Sequence, residues 1–116
     1  MKKVKLLPAA KKAMAQNRLF DAYAYIDRLI MLRQLLGGLN QTEMARVLGI
    51  TLKRWNNYER GYPISLDTAM QIHATIPGMS TDWIWFGMVG NLSETYRRQI
   101  LNLERDLIRA RKRAPA

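Results

Sequence analysis

The segment LNQTEMARVLGITLKRWNNYERG, residues 39–61, decides the fold of this chain. It contains two short stretches of helical apolar spacing, and the turn sequence LGIT, residues 48–51, separates them. Gly49 suits a left-handed turn, which allows the second helix to leave the first at a steep angle. Ala45 is expected where the two helices cross, because a larger side chain would push them apart. The segment therefore predicts two short helices packed across a tight turn.

Each of these two helices is predicted to have a buried side and an exposed side. The residues spaced to face inward are Met44, Val47, Leu48, Ile50, Trp55 and Tyr58. The residues left on the outer side of the second helix are Thr51, Leu52, Lys53, Arg54, Asn56, Asn57 and Arg60. Since the outer set is polar or cationic apart from Leu52, the second helix is expected to present a basic, hydrogen-bonding face.

Helix ends elsewhere in the chain are predicted from capping residues, which satisfy the free N–H groups of a first turn, and from glycines, which permit a left-handed last residue. Asn40 and Glu43 form a capping-box pattern, and further N-caps are expected at Thr51, Ser65 and Ser80. Helices are predicted near residues 18–36, 41–48, 52–60, 66–75, 81–87 and 92–112. Pro8 is expected to begin a turn at most, with residues 1–10 frayed. The predicted fold class is all-α, with five short helices and a longer C-terminal one.

The formal net charge of +10, from 19 Lys and Arg against 9 Asp and Glu, is concentrated at the two ends of the chain. Residues 1–20 carry +6, residues 21–90 are neutral overall and residues 91–116 carry +4. This distribution suits a polyanion such as nucleic acid, although an acidic protein, an anionic membrane surface or plain solvation of two exposed helices also fits. The chain is divided accordingly into a basic arm over 1–17, a domain over 18–90 and a basic amphipathic helix over 91–116.

The sequence lacks the usual groups for catalysis and metal binding. It has no cysteine, and this absence excludes a disulfide, a thiolate zinc site and a cysteine nucleophile. Its single histidine is His73. No glycine-rich phosphate loop, Ser/His/Asp set or paired-carboxylate cleft can be assembled, so we expect no enzyme and no cofactor. No stretch reaches ~18 apolar residues, and Lys11 and Lys12 interrupt the apolar core that a signal peptide needs. The chain is therefore expected in a cytoplasm, without a membrane partner.

Four separate motifs resemble the helix-turn-helix family of phage repressors and Cro proteins, also called the XRE-like or lambda repressor-like family. Residues 40–45 (NQTEMA) resemble the opening of the family's second helix, 49–51 (GIT) its turn, 58–61 (YERG) the end of its reading helix and 80–84 (STDWI) its fifth helix. The resemblance covers residues 27–87 and implies a compact five-helix domain. Departures are the additional glycine in Gly37-Gly38 and the longer link at Ile76-Pro77, and neither touches the reading helix.

The family resemblance implies a bacterial or phage transcriptional regulator at the nucleoid, most simply a repressor, that binds an inverted repeat of double-stranded DNA as a homodimer. The helix from Leu52 would lie in the major groove. The residues expected at DNA are Gln41, Thr51, Leu52, Lys53, Arg54, Asn56, Asn57, Arg60 and Tyr62. Asn57 can pair with adenine, while Lys53 and Arg54 suit guanine or phosphate. Gln41, at the start of a helix, suits a phosphate clamp.

Other residues are assigned to structure or to subunit contact. Arg33 and Glu59 resemble the family's partly buried ion pair, which links its first helix to the end of the reading helix. Trp85 and Phe86 lie on different faces of one short helix, so at least one is expected to be exposed in a monomer and to suit an interface. The C-terminal helix carries an apolar seam that needs its own domain or a second subunit, formed by Tyr96, Ile100, Leu103 and Leu107.

Two alternatives to a repressor remain open from the sequence. One is an antitoxin or anti-activator that acts through a protein partner, a toxin or a regulator, with its apolar terminal helix. The other is a non-specific or RNA-binding protein, which would show strong salt dependence without a preferred duplex. Both basic ends are further candidates for contact with a nucleic-acid backbone: Lys2, Lys3, Lys5, Lys11 and Lys12 at one end, and Arg109, Arg111, Lys112 and Arg113 at the other.

Overall fold

Residues 4–113 form seven α-helices and no strand in the computed structural model, which describes this range apart from the side chains of Arg111 and Arg113. The helices are α1 (Pro8–Gln16), α2 (Ala22–Leu35), α3 (Gln41–Leu48), α4 (Leu52–Tyr58), α5 (Leu66–Thr75), α6 (Thr81–Phe86) and α7 (Glu94–Arg113). The all-α fold class is therefore confirmed for this part of the chain.

Capping residues position most of the helix starts. Asn40 and Glu43 make both hydrogen bonds of a capping box at the start of α3. Thr51 and Ser65 each accept a bond from the backbone N–H three residues later. Ser80 makes no side-chain cap bond, although α6 begins directly after it. Local hydrogen bonding thus explains why these boundaries were predicted from the sequence.

The N-terminal arm contains a helix, α1, which the sequence prediction missed. Pro8 begins this helix rather than an isolated turn, since its fixed φ suits the first helical position. Leu6 and Ala10 are buried in the core, at 7% and 0% exposure, so the arm is packed from residue 6 onward. Residues 1–3 of the segment expected to be frayed lie outside the described part. Six helices were expected, and the described residues contain seven.

The other differences in helix bounds are small and have local causes. The start of α2 was predicted near residue 18 but lies at Ala22, because the Asp21 side chain accepts from two N–H groups of the first turn. Gly87, with φ 77°, ends α6 one residue early in the left-handed conformation. The start of α7 lies at Glu94 rather than 92, and the Ser93 side chain accepts from the third backbone N–H after it.

Helix α2 lies at the centre of the core and packs against α1, α6 and α7, while α3 packs against α4 and α5. The largest fully buried side chains include Tyr25, Leu29, Leu32, Met44, Trp55, Ile72, Trp83 and Ile100. The inward positions predicted for α3 and α4 are right for Met44, Leu48, Trp55 and Tyr58. The prediction is wrong for Val47, which is 41% exposed on the outer side of α3.

Within residues 4–113, no helix is both long enough and apolar enough to cross a membrane. The same residues contain no group of three or more side chains suited to hold a metal ion. His73 is exposed on α5, where its Nε2 atom lies 3.3 Å from the Thr81 hydroxyl. This placement makes His73 a surface residue of the fold.

Candidate nucleic-acid interface

Helices α3 and α4 are joined by a turn of only three residues, Gly49, Ile50 and Thr51. Gly49 is left-handed, with φ 67°, which ends α3. The N–H of Ile50 donates to the Ala45 carbonyl oxygen over 3.0 Å. The Thr51 hydroxyl accepts from the backbone N–H of Arg54 over 3.1 Å and caps α4. Together these bonds fix the point and the direction in which α4 begins.

The inner side of α4 is held by aromatic packing. Trp55 and Tyr58 are 0% and 2% exposed, and their rings meet edge to face with centroids 6.2 Å apart. The Tyr58 hydroxyl lies 2.7 Å from the hydroxyl of Thr68 on α5. Because both rings are buried and both are hydrogen-bonded, α4 is held against rotation about its axis.

The end of α4 is tied to α2 by the ion pair predicted as structural. Arg33 donates to both carboxylate oxygens of Glu59, from Nε over 2.8 Å and from Nη2 over 2.9 Å. Its Nη1 donates to the Leu39 carbonyl oxygen over 3.0 Å. Glu59 is 6% exposed and also accepts from the indole N–H of Trp55. Such a buried, multiply bonded carboxylate gives α4 a fixed position relative to α2.

A chain of side-chain amides continues from Glu59 to the outer side of α4. Gln41 Nε2 donates to Glu59 Oε1 over 3.2 Å, and Gln41 Oε1 accepts from Asn56 Nδ2 over 3.2 Å. Since an ionised carboxylate only accepts, it determines which end of the Gln41 amide faces it, and hence which end of Asn56 faces Gln41. The sequence predicted Gln41 and Asn56 as separate DNA contacts. The bond between them was missed, because only the fold brings α3 and α4 together.

The outer side of α4 is exposed and carries most of the predicted contact residues. Six of the nine predicted contact residues are exposed: Thr51, Leu52, Lys53, Arg54, Asn56 and Tyr62. The other three are half-buried: Gln41, Asn57 and Arg60. Five of the nine line one shallow depression of about 400 Å³: Thr51, Lys53, Arg54, Asn57 and Tyr62. Salt bridges within the described residues involve neither Lys53 nor Arg54, so both cations are available to an external anion.

The chain after α4 is held by two contacts that the sequence analysis missed. The N–H of Leu7, before α1, donates to the Arg60 carbonyl oxygen over 3.2 Å. The buried hydroxyl of Tyr25 donates to the Tyr62 carbonyl oxygen over 2.8 Å. Burial, followed by the neighbouring Tyr58, raises the pKa of Tyr25 well above its ordinary value. The only sequence signal for the second contact was a tyrosine on an apolar helix face, because a buried tyrosine needs a hydrogen-bond partner for its hydroxyl.

The aromatic pair expected to include an exposed ring is half-buried at both positions. Trp85 and Phe86 pack against the core with ring centroids 6.3 Å apart, and with Phe20 they line a cavity of about 260 Å³. Arg28 donates to the Ile84 and Trp85 carbonyl oxygens, each over 2.9 Å, and so satisfies the end of α6. Burial lowers the pKa of the Arg28 guanidinium. The sequence did not single out Arg28.

The predicted seam of α7 faces its own domain over most of its length. Ile100 is fully buried and is therefore unavailable to a second subunit, which corrects its assignment as an interface candidate. Tyr96 and Leu103 are half-buried against the same core. Leu107 is 50% exposed because it lies beyond the part of α7 that packs on the domain. Among the interface candidates of this seam, Leu107 is thus the most exposed.

Comparison of this chain with protein-family models, with curated proteins and with solved structures found no match. The functional argument therefore depends on the chain's own residues. Its main elements are the rigidly held α4, the unpaired cations on the outer side of that helix and the ordered amides beside them.

Proposed function

We propose that this chain is a sequence-specific, double-stranded DNA-binding regulator of transcription, of the helix-turn-helix kind found in phage repressors and Cro proteins. Its simplest action is repression in the cytoplasm of a bacterium, by a homodimer that binds an inverted repeat. One observation carries the proposal: α4 is fixed on its inner side by Trp55 and Glu59, and exposes the unpaired Lys53 and Arg54 on the other.

The chemistry of the outer side of α4 suits direct reading of base edges. The major groove, about 12 Å wide, admits an α-helix and presents a distinct pattern of donors and acceptors for each base pair. Asn57 supplies the paired donor and acceptor that fit adenine, and Arg54 and Lys53 supply donors for guanine O6 and N7 or for phosphate. Leu52 is 47% exposed, and a thymine methyl group would give this apolar side chain a contact.

Residues around α4 suit contacts that position the protein on the DNA backbone. Gln41 begins α3, whose first turn offers backbone N–H groups to an anion, and its Nε2 keeps a second N–H besides the one donated to Glu59. Asn56 is bonded to Gln41 and retains a second amide N–H. Arg60 and Tyr62 follow α4 and complete the set of phosphate candidates. Contacts of this kind set orientation and register but carry no sequence information themselves.

The proposal is tested by selection from a random duplex library at near-physiological salt. An enriched inverted repeat, with half-sites about 34 Å apart, is the expected result. Lys53→Gln combined with Arg54→Gln should abolish the enrichment, whereas Arg98→Gln combined with Arg105→Gln on α7 removes the same charge and should preserve it. Binding without enrichment would contradict the proposal and favour a non-specific or RNA-binding protein.

A second candidate function is action through a protein partner, as an antitoxin or anti-activator. The observation that favours it is α7, whose Leu101, Leu107 and Ile108 are 49%, 50% and 53% exposed. Large apolar side chains exposed together on one helix are typical of a protein-binding surface. An antitoxin would also bind DNA, so the discriminating result is a small protein that co-purifies with the intact chain and is lost when Leu107 and Ile108 are replaced by Ser.

A further inference from the structure

The N-terminal segment and α1 carry a set of uncompensated cations. Residues 4–20 contain Lys5, Lys11, Lys12 and Arg18 and no Asp or Glu. Lys5, Lys11 and Lys12 are all exposed. The salt bridges within the described residues join Arg33 to Glu59 and Arg98 to Glu94, and neither involves these lysines. The segment therefore presents positive charge that no acidic side chain of the described protein neutralises.

The position of this segment in the fold is determined by its contact with the chain directly after α4. The Leu7 N–H donates to the Arg60 carbonyl oxygen over 3.2 Å. Leu6 and Ala10 are buried against Gly61, where a β-carbon would lie only 2.7 Å from that of Ala10. Because a contact this close tolerates only glycine, α1 begins beside Gly61, which follows the end of α4 by three positions. Lys5 thus lies two residues before the bond to Arg60, and Lys11 directly follows the residue that packs against Gly61.

We propose that Lys5, Lys11 and Lys12 form a second surface for the phosphodiester backbone of the same DNA duplex, beyond the contacts of α3 and α4. This inference rests on the proposed DNA-binding function. A lysine ammonium is a hydrated point charge on a flexible stem, which suits a phosphate better than the patterned edge of a base. The surface therefore adds affinity and salt dependence but no sequence preference.

The continuity of the two surfaces favours DNA over an acidic protein as the occupant. The exposed cations Lys53 and Arg54 lie on α4. The three lysines lie on the segment whose Leu7 is bonded to Arg60, directly after α4. A duplex backbone is a continuous line of negative charge, so it can follow both groups of cations. Helix α7 offers an equally basic comparison in a different setting. It packs on α2, and its cations alternate with the acidic side chains Glu104 and Asp106.

The test compares two variants of equal net charge on the intact chain. One carries Lys5→Gln, Lys11→Gln and Lys12→Gln, and the other carries Arg97→Gln, Arg98→Gln and Arg105→Gln, which lie exposed on α7. Binding to the selected duplex is measured between about 50 and 200 mM salt, where each phosphate contact contributes about 0.9 to the logarithmic salt slope. The lysine variant should lose about 2.7 of slope, so its affinity deficit should be about 40-fold larger at the lower salt. The α7 variant should keep the wild-type slope.

Three outcomes would overturn the inference. The first is an unchanged salt slope in the lysine variant, and the second is an equal loss of slope in both variants. The third is that the three lysines contribute as much to binding of a matched RNA duplex as to binding of the DNA duplex. The proposed function fails separately, if the wild-type protein selects no sequence, before any variant is compared. Because all six side chains are exposed, both variants should fold, and equal urea midpoints establish this. The lysine variant should still enrich the same duplex sequence, since the base-reading side of α4 is unaltered.

Discussion

Asn56 on α4 donates a hydrogen bond from Nδ2 to Oε1 of Gln41, the first residue of α3, over 3.2 Å. The buried carboxylate of Glu59 sets the direction of this bond, because it accepts from the other end of the Gln41 amide. Two of the residues proposed to contact DNA are therefore oriented as one unit. Their outward-facing groups are fixed before any ligand arrives, which lowers the entropic cost of binding.

We expect Gln41→Met and Asn56→Ala to be non-additive in DNA binding. Each variant breaks the shared bond, so the double variant should lose less affinity than the sum of the two single losses, by about 0.5–1.5 kcal/mol. The measurement is a double-mutant cycle of dissociation constants on the selected duplex. Additivity within about 0.5 kcal/mol would show that the two side chains act independently.

Arg33→Met should destabilise the fold strongly. It removes the partner of Glu59, a carboxylate that is 6% exposed, and an unpaired buried charge costs about 3 kcal/mol or more. The matched control is Arg98→Met, which breaks the exposed pair with Glu94 and should cost at most about 0.5 kcal/mol. Urea unfolding of both variants measures the difference, and equal midpoints would contradict the structural role of Arg33.

Stability should fall in alkaline solution because of Tyr25. Burial raises the pKa of Tyr25 in the folded protein, while the same side chain in the unfolded protein ionises near pH 10. As the pH rises, Tyr25 therefore loses its proton in the unfolded state before it does so in the folded state. The contribution of Tyr25 to the free energy of unfolding is complete below about pH 10. Above that pH it is lost, by up to about 1.4 kcal/mol per pH unit. Urea unfolding at several alkaline pH values should show a shallower decline for Tyr25→Phe, with Tyr62→Phe as the control for loss of an exposed phenol. Equal declines for wild type and Tyr25→Phe would oppose this account.

Asn57→Ala should cost about 1–3 kcal/mol of DNA-binding energy and relax specificity at one base pair of each half-site. Arg60→Ala should weaken binding to all sequences alike, because a phosphate contact carries no base information. Affinities for duplexes that differ from the selected site at single positions measure both effects. If both variants lost affinity equally at every position, the base-reading role of Asn57 would be wrong.

Gly61→Ala should loosen α1 from the rest of the fold. Gly61 has φ +98°, and an added β-carbon would lie 2.7 Å from that of Ala10. Gly38→Ala is the matched control, since φ is +78° but nothing lies within 4 Å of the added carbon. We expect both to lose about 1 kcal/mol from backbone strain, and Gly61→Ala to lose more and to show faster hydrogen exchange in α1. Equal stability and exchange in the two variants would contradict close packing at Gly61.

Local signals predicted most of the fold and much of the candidate interface. The caps at Asn40 and Thr51 depend on residues within one turn, so the sequence contains all the information that they need. Helix α1 was missed because its position depends on Gly61, far along the chain. Val47 was placed inside because its spacing fits the buried stripe, whereas the packed structure leaves its side chain 41% exposed.

Interactions between distant side chains account for the remaining differences. The bond from Asn56 to Gln41 and the bonds from Arg28 to the end of α6 require several helices to be in place first. Their residue types are common on solvated helix faces, so the sequence predicted Gln41 and Asn56 as separate DNA contacts and did not single out Arg28. Only the packed arrangement of the helices distinguishes these side chains from ordinary surface residues.

The bond between Leu7 and Arg60 also affects the order in which the chain assembles. During synthesis α1 leaves the ribosome before α2, α3 and α4, and its contact at Arg60 follows about fifty positions later. Until the turn after α4 has been made, α1 can therefore make only part of its contacts, those with α2. A contact between such distant positions also costs loop-closure entropy, which favours docking of α1 as a late step in folding.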